Sequence, residues 1–168
     1  HIDLLEHDQE QLQAFIQKIR VAQGIIFVSP VYFGDKSSVA NKFIQLAGTL
    51  NLLEGKVVGA ASVGTKRNGG QETTNLFFLY EALALGAYIV GNGPKSSQSG
   101  GTAWAGDKGA VLKDDFGIET TFGTGVRVSQ VSRIRQRFIN PAKISGTTKI
   151  AIIITMDTPL RLLSKHIQ

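Results

Sequence analysis

Four segments with residue types suited to gripping a planar, phosphorylated ligand each follow a β-prone run. Ser29-Pro30-Val31-Tyr32-Phe33-Gly34 follows Ile25–Val28, and Gly64-Thr65-Lys66-Arg67-Asn68-Gly69-Gly70-Gln71-Glu72 follows Lys56–Ser62. Ser99-Gly100-Gly101-Thr102-Ala103-Trp104-Ala105-Gly106 lies in a long loop after Ala87–Val90, and Thr155-Met156-Asp157-Thr158 follows Lys149–Ile154. Ligands of open parallel sheets bind beyond the carboxyl ends of the strands, so these segments would share one edge. Glycine lets the backbone approach a ring, Pro30 stiffens the wall, and Tyr32, Phe33 or Trp104 can cover a face. Lys66 and Arg67 favour an anionic ring or an incoming phosphate. The mixture suits a planar heteroaromatic ring with a phosphate tail.

Other glycine-rich stretches fail on detail. Gly93-Pro94-Lys95-Ser96 imitates a P-loop end, yet the two required glycines fall on Ile89 and Pro94, so phosphate donors are missing. Gly123-Thr124-Gly125-Val126-Arg127-Val128 imitates a dinucleotide fingerprint but has Val at its third position and no downstream acidic residue. Ser62, Ser97 and Ser99 lack the context of a hydrolase elbow. Asp157 is a lone acidic residue after its strand, which argues against a receiver domain.

Composition narrows the chemistry further. With 168 residues, 42% hydrophobic and 18% charged, the chain is long enough for a real core and too apolar for disorder. No apolar run reaches the ~20 residues of a membrane helix. Cys 0 excludes thiol nucleophiles, disulfides, zinc ribbons and protein-bound iron–sulfur clusters within these residues. His1, His7 and His166 are too scattered for a metal site, so no metal is expected. The net charge of +5 favours anionic ligands in general. Arg127, Arg133, Arg135 and Arg137 read as a solvated helix face, since no aromatic residue interleaves with them, and no nucleic-acid or membrane partner is expected. Without a visible secretory signal, a cytoplasmic location is the expectation. The chain opens on His1 and stops at Gln168 inside a helix-like pattern, as a fragment or an incompletely ordered chain would.

The elements that must position these loops alternate between helix and strand. Leu12, Phe15, Ile16 and Ile19 recur at helical spacing after an Asp8–Gln11 capping box. Ser37 or Ser38 caps a helix with Val39, Phe43, Leu46, Ala47 and Leu50 inward. A third helix, about Glu72–Leu85, is expected to bury Leu76, Phe77, Tyr80, Leu83 and Ala84, and Gly86 ends it. A fourth, about Thr120–Phe138, is expected to bury Phe122, Val126, Val131, Ile134 and Phe138. The alternation predicts a doubly wound α/β layout around a parallel sheet.

After the turn-rich break Asn140–Gly146 the pattern restarts. Lys149–Ile154 is the strongest strand, Thr158 suits an N-cap with Pro159 at the first helical position, and Leu160, Leu163 and Ile167 form a helical stripe. A buried strand, a Thr-rich loop and a helix N-terminus form an anion-binding arrangement, here Thr155 and Thr158 for a phosphate.

The Ser-Pro-Val-Tyr-Phe-Gly motif, the Gly-Thr-Lys-Arg-Asn-Gly-Gly-Gln-Glu-Thr-Thr stretch and the later Gly-Gly-Thr-Ala-Trp resemble the flavodoxin-like NAD(P)H-dependent FMN reductase and quinone reductase family over roughly Ile2–Phe138. The resemblance implies a flavodoxin-like, five-stranded parallel sheet, non-covalent FMN, NAD(P)H as electron donor, a quinone or similar small-molecule acceptor, and a homodimer or homotetramer. It implies that Ser29, Pro30, Val31, Tyr32, Phe33 and Gly34 wrap the isoalloxazine. Gly64, Thr65, Lys66, Arg67, Asn68, Gly69 and Gly70 would meet its pyrimidine edge, and Gly101 and Trp104 would border the ring or nicotinamide pocket. The iron–sulfur branch of the family does not fit a chain without Cys. No acid or base residue is required, so no catalytic side chain is assigned.

Family members open with a strand and a Ser/Thr-rich phosphate loop, and nothing before His1 supplies them. Residues 1–140 therefore read as the FMN-binding domain, and 141–168 as a strand–loop–helix unit. That unit either fills the central first-strand slot, by circular permutation or exchange between chains, or starts a second domain. Two rivals to the reductase are an FMN-binding electron carrier that does not oxidise NAD(P)H and a non-enzymatic binding module.

Overall fold

The computed structural model describes residues 9–139, 148–155 and 161–166. In chain order these form α1 (Gln9–Val21), β1 (Gly24–Pro30), α2 (Ser38–Thr49), β2 (Val57–Gly64), α3 (Gln71–Ala84), β3 (Tyr88–Ile89) and β4 (Gly101–Trp104). A 3₁₀ turn (Ala110–Lys113), α4 (Asp115–Ile139), β5 (Lys149–Ile154) and β6 (Arg161–His166) follow. The sheet has six strands in the order β3-β2-β1-β5-β6, with β4 also paired to β2. β3 lies along Val57–Val58 and β4 along Ala61–Gly64, so they are two pieces of one row, and the six strands make five rows. All pairings are parallel except β5 with β6.

Strand alternation sorts the core onto the two faces of this sheet. Ile25 and Phe27 of β1, Val58 and Ala60 of β2, and Ala151 and Ile153 of β5 pack against α1, α2 and α3. Phe27 stacks on Phe78 with ring centroids 5.0 Å apart and an interplanar angle of 6°, and Phe43 lies 5.8 Å from Phe27. Ile26, Val57, Val90 and Ile150 face the other way, against Val128 of α4. The Ser37 cap is as expected: its hydroxyl accepts from the Ala40 N–H at 3.2 Å.

Two helices turn the opposite way from their apolar stripes. In α3, Leu76, Phe77, Tyr80 and Leu83 are exposed, while Gln71, Thr74, Asn75, Phe78, Leu79 and Ala82 are buried. The polar members explain the choice. Gln71 and Asn75 donate to the carbonyls of Ala103 and Gly101, buried groups that an apolar stripe would leave unpaired. In α4, Phe122 and Phe138 are 73% and 83% exposed, and Val126 and Ile134 face outward too. Its buried face is Gly117, Thr120, Thr124, Val128, Ser129 and Ser132. That face lets the helix lie close on the sheet. A Cβ at Gly24 would sit 2.6 Å from Val128 Cγ1, and one at Gly59 only 2.8 Å from Thr124 Cγ2. Of the α4 stripe, Val131 alone packs partly inward.

The C-terminal unit differs from expectation as well. β5 lies parallel beside β1 in the same sheet, with Gly24 opposite Ile150 and Val28 opposite Ile154. The helix expected from Thr158 is instead a strand over 161–166, antiparallel to β5 with Lys149 opposite His166. A segment this short is a marginal helix on its own, whereas the open edge of β5 offers it a full row of hydrogen bonds. The Asp8 cap lies outside the described residues, as do 140–147 and 156–160. Among the described residues, no helix is long and apolar enough to cross a membrane.

Phe78→Ala removes the partner of the Phe27 ring and opens a cavity between α3 and β1. A loss of about 3–5 kcal/mol is expected, read as a lower denaturant midpoint at unchanged slope.

Candidate functional site

Pro30 pairs with Val63 across the sheet, so the chain leaves β1 and β2 almost level. The first loop begins with Ser29, which is buried. Its hydroxyl donates to Pro30 O at 2.9 Å and accepts from Ser37 N–H at 3.0 Å, tying the loop to the start of α2. The Val31 N–H donates to Val63 O at 2.9 Å. Tyr32 and Asp35 exchange backbone hydrogen bonds of 2.8 and 3.0 Å, closing a two-residue turn whose centre is Phe33 (φ 52) and Gly34 (φ 82). Positive φ at both central positions is ordinary for Gly and uncommon for Phe. Phe33 holds it at a fully exposed tip.

A buried lysine anchors this turn. Lys36 Nζ lies 3.1 Å from Glu81 and 3.4 Å from Asp35, and 5.5 and 5.7 Å from the ring centres of Phe77 and Phe78. Both carboxylates and the two rings compensate the charge that burial would otherwise penalise.

Gln71 shapes the second loop. Its Nε2 donates to Lys66 O at 2.7 Å and Ala103 O at 3.0 Å, and its Oε1 accepts from Gly69 N–H at 2.8 Å. Gly64 must be glycine here, because a Cβ would lie 2.6 Å from Gln71 Nε2. Gly70 (φ 97) closes the loop, and its Cβ would lie 2.9 Å from Gly34 Cα. The first two loops therefore touch, glycine to glycine.

The third segment, expected as part of a loop, is a strand along the end of β2. Trp104 is 37% exposed, and its indole N–H donates to Thr65 O at 2.6 Å. Asp114, which sequence reasoning missed, holds this corner. The buried carboxylate accepts from Trp104 N–H at 2.6 Å and Gly117 N–H at 3.0 Å, and pairs with Arg67. Arg67 also donates to Thr102 O at 3.1 Å and lies over the Phe116 ring. Burial pushes the Asp114 pKa up, but the Gly117 and Trp104 N–H groups and Arg67 outweigh it and hold it below the ordinary 3.8. The signal was available: an Asp just ahead of a helix start is an N-cap pattern, and α4 starts at Asp115.

The structure thus brings together Ser29–Gly34, Gly64–Gly70 and Gly101–Trp104. Among the described residues, the backbone N–H groups of Phe33, Gly34, Lys66, Arg67 and Asn68 have no protein acceptor, and the exposed Lys66 side chain has no ion pair. Arg67 is already neutralised by Asp114. Thr155 reaches the same edge but is buried. Its N–H and hydroxyl both donate to Val28 O, at 2.7 and 3.0 Å, and its carbonyl accepts from Ser37 Oγ. Thr158 lies outside the described residues. No group of three His, Cys, Asp or Glu able to hold a metal occurs among the described residues.

Asp114→Asn removes the charge opposite Arg67 and strands one of its donors, at an expected cost of about 1–3 kcal/mol. Because the folded pKa is depressed, the wild-type advantage is fully present above the ordinary carboxylate value. It disappears as pH falls through the lower folded value. Urea melts of both proteins from neutral to acid pH measure this convergence.

The geometry has close counterparts. An iron–sulfur flavoprotein of Methanocaldococcus jannaschii is 34% identical over 132 residues, 74% of this chain and 66% of that protein. An NAD(P)H dehydrogenase (quinone) of Archaeoglobus fulgidus is 32% identical over 133 residues, 74% of this chain and 69% of that protein. The chain therefore spans about two thirds of the length of these curated relatives. The solved flavodoxin, WrbA-like protein of Agrobacterium tumefaciens superposes with a TM-score of 0.55 at 22% identity, covering 75% of this chain and 74% of that one, which gives the fold as flavodoxin-like. The family model for NADPH-dependent FMN reductase matches residues 2–100, and the chain belongs to that family.

Proposed function

We propose that this chain binds FMN at the rim formed by β1, β2 and β4 and works as an NAD(P)H-dependent oxidoreductase. One observation carries the reading. Three adjoining loops present unspent backbone donors beside exposed aromatics, and the glycines between them leave no room for side chains. The oxygens and ring nitrogens of a flavin are acceptors for such donors, and a flat ring suits aromatic cover.

The Phe33–Gly34 turn and the Lys66–Asn68 backbone would hold the polar edge of the ring. Tyr32, Phe33 and Trp104 would cover it and exclude water. Lys66, free of an ion pair among the described residues, is the cation placed to favour a negatively charged ring; Arg67 serves to fix the loop. Bound FMN supplies two-electron chemistry between NAD(P)H and a quinone or similar acceptor, and the protein contributes position and electrostatics. Thr155 contributes to a phosphate site through its position at the strand end, since its hydroxyl is directed at Val28 O. The name of the Archaeoglobus relative agrees with a quinone as acceptor. The iron–sulfur chemistry named for the Methanocaldococcus relative has no cysteine to support it in these 168 residues.

Purified protein incubated with FMN and desalted should retain flavin absorbance, and anaerobic NADPH should bleach it. Colourless protein overturns the reading, and flavin that stays oxidised leaves an electron carrier. Gly70→Val drives a side chain into Gly34 and should weaken FMN binding by more than about tenfold, about 1.4 kcal/mol. Phe33→Ala, at a fully exposed position, should leave stability unchanged and weaken binding by about two- to tenfold. Fluorescence quenching of FMN measures both.

A further inference from the structure

The outer face of α3 is apolar along its length. Leu76 and Leu83 are each 54% exposed, Phe77 44% and Tyr80 72%, and Ala84 is exposed beside them. No charge lies among these positions. The two carboxylates of the helix, Glu72 and Glu81, are half-buried and engaged with Ser99 and Lys36. Singly exposed apolar residues are ordinary, but a continuous uncharged stripe marks a surface that another molecule covers.

The spacing identifies the molecule. Phe77 and Leu83 stand three residues to either side of Tyr80, and Leu76 and Ala84 stand four to either side. The stripe is therefore symmetric along both the i±3 and i±4 ridges that guide helix packing. Turned end for end about Tyr80, it presents the same sequence of large and small positions. Self-complementarity of this kind is what a twofold interface requires.

We propose that a second copy of this chain docks on α3, with the two helices antiparallel about an axis beside Tyr80. Phe77 then faces Leu83 of the partner subunit, Leu76 faces Ala84 of the partner subunit, and the two Tyr80 rings meet on the axis. With aromatic side chains burying about 150–250 Å² each, the exposed parts of this stripe amount to roughly 400 Å² of apolar surface per copy. That is about half of the ~800 Å² per partner in a stable interface, close to the usual apolar share. The exposed aromatics of α4 do not suit the same role. Phe122 and Phe138 lie among the exposed Arg127, Arg133 and Arg137, charges that two copies would bring together. The α3 interface also reaches the site through one side chain, because Glu81 beside Tyr80 holds Lys36 and hence the Tyr32–Asp35 turn.

The chain has no cysteine, so Tyr80→Cys introduces a single thiol. Under oxidised glutathione, two such thiols on the axis should join rapidly into a disulfide that doubles the 18.1 kDa chain on a non-reducing gel. Phe122→Cys, on the exposed face of α4, should cross-link far more slowly. Wild-type protein at micromolar concentration should sediment as a dimer. Tyr80→Asp should raise the dissociation constant by about 100-fold or more while far-UV circular dichroism stays unchanged. A monomeric wild type, a Tyr80→Asp variant that remains dimeric, or faster cross-linking at Phe122→Cys overturns the proposal. So does a wild type that leaves solution for phosphatidylcholine vesicles through this stripe. The readout is mass, so it stands whether or not the protein binds flavin.

Discussion

Parallel pairing of β1 with β2 sets the height at which everything else must meet. With Pro30 opposite Val63, the two chains emerge side by side and must turn away from the sheet at once. Both do so through glycine, and the contact between Gly34 and Gly70 is close enough to refuse a Cβ. A one-residue slip would flip the faces of a strand and separate the loops, so burial on both sides of the sheet protects the register. The hydrophobic core thus fixes the position of a polar rim that contributes little to stability itself.

Buried polar side chains convert this rough placement into a defined shape. Gln71 spans the second loop and β4, Asp114 gathers Trp104, Gly117 and Arg67, and Ser29 joins the first loop to α2. Each is desolvated and each is compensated by donors or acceptors from the neighbouring backbone, the condition under which burying such groups is tolerable. Their cost is met by order. Loops fixed by side chains beneath them can leave their own N–H groups facing outward for a ligand.

The same requirement explains why two helices hide small or polar residues and show large apolar ones. α3 brings amides to strand carbonyls, and α4 brings glycine, threonine and serine to a stretch of sheet kept bare by Gly24 and Gly59. Close approach and hydrogen bonding outweigh the burial of several aromatic rings in the single chain. The rings left outside are a reserve of interaction surface. On α3 that reserve is uncharged and symmetric, and on α4 it is mixed with arginine.

The sequence alone determined the strands Ile25–Val28, Lys56–Ser62 and Lys149–Ile154, because unbroken β-branched and small apolar runs suit strands covered on both faces. It also determined the caps and breaks around α2 and α3, and the order of the glycine-rich motifs, since turn chemistry is local. Only tertiary structure decided which face of α3 and α4 lies inward, because that depends on strand carbonyls and bare glycines far away in the chain. It also turned Gly101–Trp104 and Arg161–His166 into strands: each had an open row of backbone partners beside it, which no local pattern records. The roles of Gln71, Asp114 and Lys36 became visible for the same reason. Their partners lie up to 47 residues away in sequence and meet only after the sheet has formed.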